Sequence, residues 1–192
     1  MRVISGNLKG RRLFALKGQK LRPTSDRVKE AIFNILQDQI RGREVLDLFA
    51  GTGALGIEAL SRGAKSTVFV EESTRSLSAL RRNIEECRLK ERAEVLGREA
   101  RAAIKILEAR GDSFELIFLD PPYGKGLARR ALEALARSSI VTSGTLVVAE
   151  HSLSEKLDFI PFWQRVDWRS YGSTQVSFFR PEKESSDPNW TG

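Results

Sequence analysis

The stretch Phe114-Glu-Leu-Ile-Phe-Leu-Asp-Pro-Pro-Tyr-Gly124 decides the fold of this chain. Its first half is a short and almost unbroken apolar run, which is typical of a strand buried on both faces of a sheet. Pro121 and Pro122 lack the amide hydrogens that a sheet ladder needs, so the strand must end at Asp120. We therefore expect Asp120 and the Tyr123 ring at the carboxyl edge of the sheet, where open α/β sheets bind ligands.

Strands of this kind alternate with helices along most of the chain. Four further apolar runs have strand character, at Val45–Phe49, Thr67–Val70, Ala93–Leu96 and Thr145–Ala149. Amphipathic helical patterns separate them, and the clearest begins near Ser73 or Thr74. This repetition predicts an α/β, Rossmann-like fold with a parallel sheet, right-handed crossovers and helices on both faces.

The two ends of the chain depart from the alternation. Gln164–Ser170 and Thr174–Phe179 flank a Gly-Ser turn that leaves no room for a helix, so we predict an antiparallel hairpin there. The sheet would then have seven strands, mostly parallel, with one antiparallel edge strand. The predicted organisation is one domain over residues 1–180, with a basic β-hairpin at 1–21, a helix at 22–41, a core at 44–180 and a polar tail at 181–192.

A glycine-rich loop follows the first strand of the alternating region. Gly51, Gly53 and Gly56 fit the spacing G-x-G-x-x-G, and Glu71 lies at the end of the next predicted strand. Such glycines let a ligand approach the backbone closely, and the acid can reach the ribose hydroxyls of a nucleotide cofactor. The spacing alone leaves two cofactors open, because a nicotinamide dinucleotide and S-adenosylmethionine both carry adenosine.

Two carboxylates favour S-adenosylmethionine. Asp47 directly precedes the glycine loop, where its charge opposes a pyrophosphate but suits the cationic amino group of a methionine moiety. Asp47 can equally brace the loop, and the two roles can coexist. The acceptor oxygens of Asp120 beside the Tyr123 ring suit a planar group with an exocyclic amine, which amine methylation requires and hydride transfer does not.

The positive charge of the chain is concentrated at its N-terminal end. The formal net charge is +7, and residues 1–43 hold eleven Lys or Arg against three Asp or Glu. The remaining residues hold twenty-one against twenty-two. A focused basic region of this kind indicates a polyanionic partner such as nucleic acid, although a solvated basic surface has the same composition.

The overall composition is that of a soluble globular protein of 192 residues, with 41% hydrophobic and 30% charged residues. No apolar run approaches the roughly 20 residues of a membrane span, and the N-terminus lacks the apolar core of a secretory signal. A single cysteine, Cys87, excludes an internal disulfide and is expected to pack in the core. The only histidine, His151, is expected in a loop or at the surface. These features predict a cytoplasmic protein without a metal cluster.

These motifs resemble class I S-adenosylmethionine methyltransferases that carry an [Asp/Asn/Ser]-Pro-Pro-[Tyr/Phe] site. More narrowly, the chain is similar to the bacterial ribosomal RNA small subunit methyltransferase D family, which methylates N2 of a guanine in 16S ribosomal RNA. The resemblance runs from about Arg2 to Arg180, and Arg22–Asn34 is its most family-specific stretch. Three further segments support it, at Asp47–Gly56, Phe69–Glu71 and Tyr171–Ser173.

The resemblance implies a role for each matching residue. The catalytic residues would be Asp120, Pro121, Pro122 and Tyr123. The cofactor, S-adenosylmethionine, would be bound by Asp47, Phe49, Gly51, Gly53, Glu71, Glu99 and Asp120. The RNA would be bound by Lys9, Arg11, Arg12, Arg22, Thr24 and Arg27. Two positions depart from the family, since Glu99 stands where Asp is common and Glu72-Ser73 where Lys-Asp is common.

The expected partner is 16S ribosomal RNA in a small-subunit particle, bound by a monomer that needs neither a metal nor a membrane. Three alternatives remain at this level. The four-residue catalytic motif is shared with enzymes that methylate adenine N6 in DNA or a protein glutamine. A non-catalytic RNA-binding assembly factor could use the same scaffold. A nicotinamide oxidoreductase is the most distant alternative, because it has no use for the motif at Asp120.

Overall fold

Seven strands in one sheet form the centre of the structure, a computed structural model that describes residues 1–16 and 26–182, apart from the side chain of residue 38. The predicted roles of Arg22 and Thr24, and the predicted tail after residue 182, lie outside these residues. The strands are β1 Glu44–Asp47, β2 Ser66–Val70, β3 Ala93–Leu96, β4 Phe114–Leu119, β5 Val141–Ser152, β6 Trp163–Tyr171 and β7 Thr174–Pro181.

Five α-helices are described, α1 Asp26–Leu36, α2 Ala54–Ser61, α3 Thr74–Glu86, α4 Ala100–Ala109 and α5 Leu127–Leu135. A 3₁₀ turn, Gln37–Ile40, follows α1, so the predicted helix to residue 41 changes its hydrogen bonding at its C-terminal end. Ser73 caps α3 by accepting from the Ser76 amide, which confirms the start predicted from the apolar spacing.

The strand order β3-β2-β1-β4-β5-β7-β6 confirms the predicted fold class. The pairings among β1, β2, β3, β4 and β5 are all parallel. Strand β7 runs against both neighbours and lies between β5 and β6, so the antiparallel strand is inserted one position in from the edge. The tight turn at Gly172 accounts for the antiparallel pairing of β6 with β7 as a hairpin.

Helices cover both faces of the sheet, as predicted. One apolar cluster joins α1, α2 and α3 to the sheet face that includes Val45 and Phe118. The other joins α4 and α5 to the opposite face, which includes Leu46 and Ile117. Neighbouring residues of β1 and β4 thus point into different cores, because successive side chains of a strand alternate between faces. Cys87 is buried in the first cluster, as expected.

Strand β5 is longer than predicted, and this overturns the expectation for the histidine. His151 was expected in a loop or at the surface, but it lies in β5, pairs with Gln175 of β7 and is fully buried. Its Nε2 atom lies 2.9 Å from Ser177 Oγ, and burial lowers the pKa of the imidazole. The prediction was wrong because only the pairing with β7 carries the strand beyond its apolar run.

The predicted N-terminal hairpin is present as a turn closed by one antiparallel bridge between Arg2 and Arg12. Its backbone is held by Glu58, a fully buried residue of α2 whose carboxylate accepts hydrogen bonds from the Ile4 and Ser5 amides at 2.8 and 3.0 Å. The charge of this buried carboxylate is balanced by the side chains of Lys29 and Arg62. The N-terminal segment is therefore docked on the core through polar contacts.

Among the described residues, no helix combines the length and the apolarity needed to cross a bilayer.

Candidate active site

A cavity of about 1100 Å³ opens at the carboxyl edge of the sheet. Its walls combine the glycine loop, the end of β2, the start of α4 and the run that follows β4. These segments meet because parallel strands end at the same edge and their connections begin there. Of the predicted site residues, the cavity is lined by Phe49, Gly51, Glu71, Glu99, Asp120, Pro121, Pro122 and Tyr123.

Glu71 fixes the glycine loop to the end of β2. Its Oε2 atom accepts from the Gly51 amide at 2.8 Å, and its Oε1 atom accepts from the Ser73 amide at 2.7 Å. Gly51 has φ +54°, and a Cβ there would meet nothing within 4 Å, so the backbone is open on the cavity side. Burial raises the pKa of Glu71, although these amide hydrogen bonds oppose the effect. The carboxylate oxygens keep further lone pairs for a ligand hydroxyl.

Asp47, Gly53 and Gly56 shape the loop from behind and do not belong to the cavity wall. Asp47 Oδ2 accepts from the Gly56 amide at 3.0 Å, at the start of α2. Its Oδ1 atom has no hydrogen-bond partner among the described residues, and burial raises the pKa of this carboxyl to about 7. A Cβ on Gly56 would lie 2.2 Å from the Phe69 ring, so this position must be glycine for the helix to pack on β2.

Glu99 stands at the N-terminus of α4, where it caps the helix. Its Oε1 atom accepts from the Arg101 amide at 3.4 Å, and the residue is exposed at the cavity rim. The carboxylate thereby lies near the positive end of the helix dipole.

The Asp-Pro-Pro-Tyr run leaves β4 as predicted and crosses the cavity floor. Asp120 is half-buried, and Pro121 is buried beside it. The Tyr123 hydroxyl donates to Glu150 Oε1 at 2.9 Å and lies 3.0 Å from Thr174 Oγ1. Burial strongly raises the pKa of Tyr123, and the nearby Glu150 carboxylate adds to the effect, so the phenol stays neutral. Both partners fix the ring at its far end.

Three residues of this region were missed by sequence reasoning: Glu150, Thr174 and Asn83. Glu150 and Thr174 lie on β5 and β7 and anchor Tyr123. Asn83 of α3 donates to the carbonyl of Thr52 in the glycine loop at 2.9 Å. The only available signals were a carboxylate directly after the apolar run of β5 and a buried position of α3 occupied by an amide. Neither signal names a partner, since each partner is more than 25 residues away.

The basic residues of the N-terminal segment lie on the surface, where Lys9 and Arg11 line a separate depression with Cys87 and Arg88, beyond the C-terminal end of α3. Lys9, Arg11, Arg12 and Arg27 are exposed, and Arg11 also donates to the Glu86 carbonyl. Further along the same segment, its apolar residues contribute to the cavity wall itself, through Met1, Ala15 and Leu16. The segment thus joins exposed cations to the cavity.

In the part of the chain that the structure describes, no three His, Cys, Asp or Glu side chains are grouped so as to hold a metal ion.

The sheet order, the glycine loop and the Asp-Pro-Pro-Tyr run at one edge define a class I methyltransferase fold. Residues 1–180 match the model of a protein family described as conserved hypothetical protein 95. The ribosomal RNA small subunit methyltransferase D of Haemophilus influenzae is 38% identical over 181 residues, which are 94% of this chain and 93% of that protein.

Two Escherichia coli proteins extend this comparison. The ribosomal RNA small subunit methyltransferase D of strain K12 is 32% identical over 165 residues, which cover 84% of this chain and 79% of that protein. A solved structure of the protein yhhF superposes with a TM-score of 0.83 at 31% identity, and covers 95% of this chain and 98% of that one. The chain belongs to the family of ribosomal RNA small subunit methyltransferase D, which confirms the resemblance drawn from its motifs.

Proposed function

We propose that this protein transfers the methyl group of S-adenosylmethionine to the exocyclic N2 amine of a guanine in small-subunit ribosomal RNA. The observation that carries the proposal is one cavity that joins the glycine loop and Glu71 to the run from Asp120 to Tyr123. Its relatives named above are methyltransferases of the same ribosomal RNA by their names. The presence of both halves in one cavity supports catalysis over a purely structural role in ribosome assembly.

The cofactor fits the first half of the cavity. Gly51 leaves open space where a side chain would stand, and Glu71 offers carboxylate oxygens that suit two ribose hydroxyls. Phe49 and Glu99 line the same half and would contact the adenine. Asp47 would support the glycine loop from behind, because it accepts a hydrogen bond from the Gly56 amide. When bound, S-adenosylmethionine supplies an electrophilic methyl group on a sulfonium.

The acceptor amine fits the second half. The nitrogen of an exocyclic amine is a poor nucleophile, because its lone pair is delocalised into the ring. The Asp120 carboxylate and the Pro121 carbonyl would accept hydrogen bonds from the two N–H groups of the amine, which favours a pyramidal nitrogen with a localised lone pair. Alignment of this kind can lower a barrier by roughly 7–11 kcal/mol. After methylation the nitrogen sheds one proton, and the Asp120 carboxylate can take it.

Tyr123 would stack on the purine ring. Its hydroxyl is held by Glu150 and Thr174, so the ring is oriented before the base arrives. The N-terminal cations Lys9, Arg11 and Arg12 would neutralise phosphates of the RNA around the target. A base can reach this cavity only from an exposed loop or after flipping out of its stack. We take the acting form to be a monomer on a small-subunit particle.

Nucleoside analysis tests this function. Purified protein is incubated with radiolabelled S-adenosylmethionine and with either 16S ribosomal RNA or small-subunit particles from a strain that lacks the enzyme. The digested RNA should contain labelled N2-methylguanosine, and Asp120→Ala protein serves as the control for contamination. Labelled N6-methyladenosine would overturn the choice of base, and the absence of transfer to any RNA substrate would overturn the function.

A second experiment tests the RNA-binding surface. The double variant Arg11→Ala/Arg12→Ala should reduce the slope of log affinity against log salt by about 0.7–0.9 for each phosphate that the protein no longer neutralises. Affinity for S-adenosylmethionine should change little, because neither residue lines the cavity. Arg81→Ala, on the exposed face of α3, is the matched control. Equal slopes for the double variant and the wild type would remove these two residues from the interface.

A further inference from the structure

Asn83 joins two parts of the molecule that the proposed function uses separately. The Oδ1 atom of this fully buried residue of α3 accepts a hydrogen bond from the Phe14 amide at 2.7 Å. Its Nδ2 atom donates to the Phe14 carbonyl at 3.1 Å and to the Thr52 carbonyl at 2.9 Å. Both N–H bonds and one acceptor position of the carboxamide are therefore used between the N-terminal segment and the glycine loop.

Both partners of Asn83 belong to segments that form the wall of the cofactor cavity. Thr52 lines it directly, between Gly51 and Gly53. Phe14 immediately precedes Ala15 and Leu16, which line another part of the same cavity. An apolar residue at this buried position would pack the helix equally well, whereas a buried amide is stabilising only when its hydrogen bonds are made. The choice of an amide thus serves the connection between the two segments.

The N-terminal segment carries the exposed cations on the other side of this connection. Lys9, Arg11 and Arg12 precede Phe14 by two to five residues. The ring of Phe14 is itself covered by the Arg82 guanidinium, 4.6 Å from the ring centroid. A ligand that holds the cations in place therefore also favours the position of the backbone at Phe14, and with it the position of Ala15 and Leu16.

We infer that Asn83 is a positioning residue that couples the binding of RNA at the N-terminal segment to the binding of S-adenosylmethionine. The inference rests on the proposed function. RNA binds better to the docked segment because docking holds the cations of the segment in one arrangement. The cofactor binds better because docking places Ala15 and Leu16 where they complete the cavity wall. Each ligand must raise the affinity of the other by the same factor, since coupling between two binding sites is reciprocal.

The experiment measures this factor in both directions. Calorimetry gives the dissociation constant of S-adenosylhomocysteine, an unreactive product, with and without the ribosomal RNA substrate that accepts methyl groups in the nucleoside assay. Filter binding gives the dissociation constant of that RNA with and without S-adenosylhomocysteine. For wild-type protein, the two ratios should agree at about fivefold or more, within the usual range of coupling between sites.

Asn83→Asp is the decisive variant, because it keeps the size of the side chain and the acceptor for the Phe14 amide but replaces the donor by an oxygen. For this variant, the ratio of the dissociation constants measured without and with the second ligand should fall close to one, while each ligand alone binds within a few-fold of wild type. Ile84→Ala is the matched control: Ile84 is the next residue of α3 and is buried in the core. Truncation of Ile84 lowers stability without removing the hydrogen bonds of Asn83 to Phe14 and Thr52, so the coupling ratio should stay at the wild-type value.

The outcomes separate the two proposals. If wild-type protein binds neither ligand, the proposed function fails, whatever Asn83 does. If both ligands bind but the wild-type ratio is one, or if Asn83→Asp keeps the wild-type ratio, the inference is overturned and the proposed function stands. Should Asn83→Asp not fold, Asn83→Ser replaces it, because a short hydroxyl cannot span Phe14 and Thr52 together and must give the same loss of coupling.

Discussion

The two halves of the active-site cavity are built in different ways. In the cofactor half, carboxylates accept hydrogen bonds from backbone amides, as Glu71 does from Gly51 and Ser73, and Asp47 from Gly56. In the acceptor half, the Tyr123 ring is held by side chains of two other strands, β5 and β7. One half shapes the backbone around a ligand, and the other orients a single side chain.

This difference suits what each half is proposed to recognise. A cofactor that is the same in every turnover can be bound by a fixed loop, whose amides and glycines are positioned by two neighbouring strands. An acceptor base must enter, stack and leave in each cycle, so a pre-oriented ring and accepting oxygens are more useful than an enclosing loop. Substitutions should therefore separate cofactor affinity from turnover.

Asp120→Ala should have the largest effect on turnover. The loss of one accepting group at the amine should lower kcat by roughly 100-fold or more, the scale seen when one group that stabilises a transition state is removed. Affinity for S-adenosylhomocysteine should remain within about twofold, since the deleted carboxylate binds the acceptor amine. Single-turnover methylation and calorimetry on the same preparation check both. An unchanged kcat would mean that the amine is held elsewhere.

Glu71→Ala should produce the opposite pattern. Removal of a charged acceptor should weaken cofactor binding by about 1.5–3 kcal/mol, and it also releases the Gly51 amide that the carboxylate holds. At saturating cofactor, turnover should recover most of its wild-type value. Glu72→Ala, an exposed neighbour at the cavity rim, is the matched control and should bind nearly as wild type does. Calorimetry distinguishes the two variants, and equal affinities would remove Glu71 from the cofactor site.

Two substitutions of Tyr123 sharpen the acceptor half. Tyr123→Ala should lose the stacking of the base, at a cost of roughly 1–3 kcal/mol in RNA affinity. Tyr123→Phe keeps the ring and should keep most activity. It should lose less RNA affinity than Tyr123→Ala, and that loss arises because Glu150 no longer accepts a hydrogen bond from the hydroxyl. The measurement is KM for RNA and kcat for both variants. If Ala and Phe variants behave alike, stacking is not the role of this residue.

Asp47→Asn should have the smallest effect, and it should depend on pH. The pKa of the folded carboxyl is raised by burial to about 7, above the value of 3.8 for an unperturbed Asp. The unfolded chain therefore loses this proton first, so the folded protein loses stability as the pH rises from about 4 to about 7, and the loss is complete above that range. The variant cannot ionise and lacks this part of the pH dependence.

At pH 8 the variant should gain roughly 1–2 kcal/mol of unfolding free energy over wild type, because relief of the buried charge is partly offset by an amide without a partner. Urea denaturation without cofactor at pH 5 and pH 8 measures this difference. A difference of the same size at both pH values would mean that the pKa of Asp47 is not raised in the folded protein, because the carboxyl would then be ionised in both the folded and the unfolded state at pH 5 and at pH 8.

Some predictions succeeded because their cause lies within a few neighbouring residues. The apolar run into two prolines identified β4 and its end at Asp120, since proline cannot continue a ladder. The glycine spacing identified a loop whose members differ in purpose: Gly51 faces the cavity, and Gly56 lets α2 approach Phe69. Ser73 marked the start of α3 through a local cap. Each of these signals acts over a distance of a few residues.

Other features were decided by pairing across long distances along the chain. The site of β7 between β5 and β6 buries His151, and the same pairing brings Thr174 and Glu150 to Tyr123. Asn83 meets Phe14, 69 positions away, because α3 packs beside the docked N-terminal segment. No spacing rule predicts such pairs, because a buried polar side chain is satisfied by whichever partner the packed layers bring to it.

The sequence by itself determined the alternating α/β core, the glycine loop and the presence of a carboxylate and an aromatic ring at the edge of the sheet. Those features depend on backbone conformation and on local apolar patterns, which individual residues impose. Only the tertiary structure decided that Asp47 supports the loop from behind, that Glu150 and Thr174 hold the aromatic ring, and that Asn83 joins the N-terminal segment to the glycine loop. These interactions arise when separate layers pack, so the energy that selects them exists only in the assembled fold.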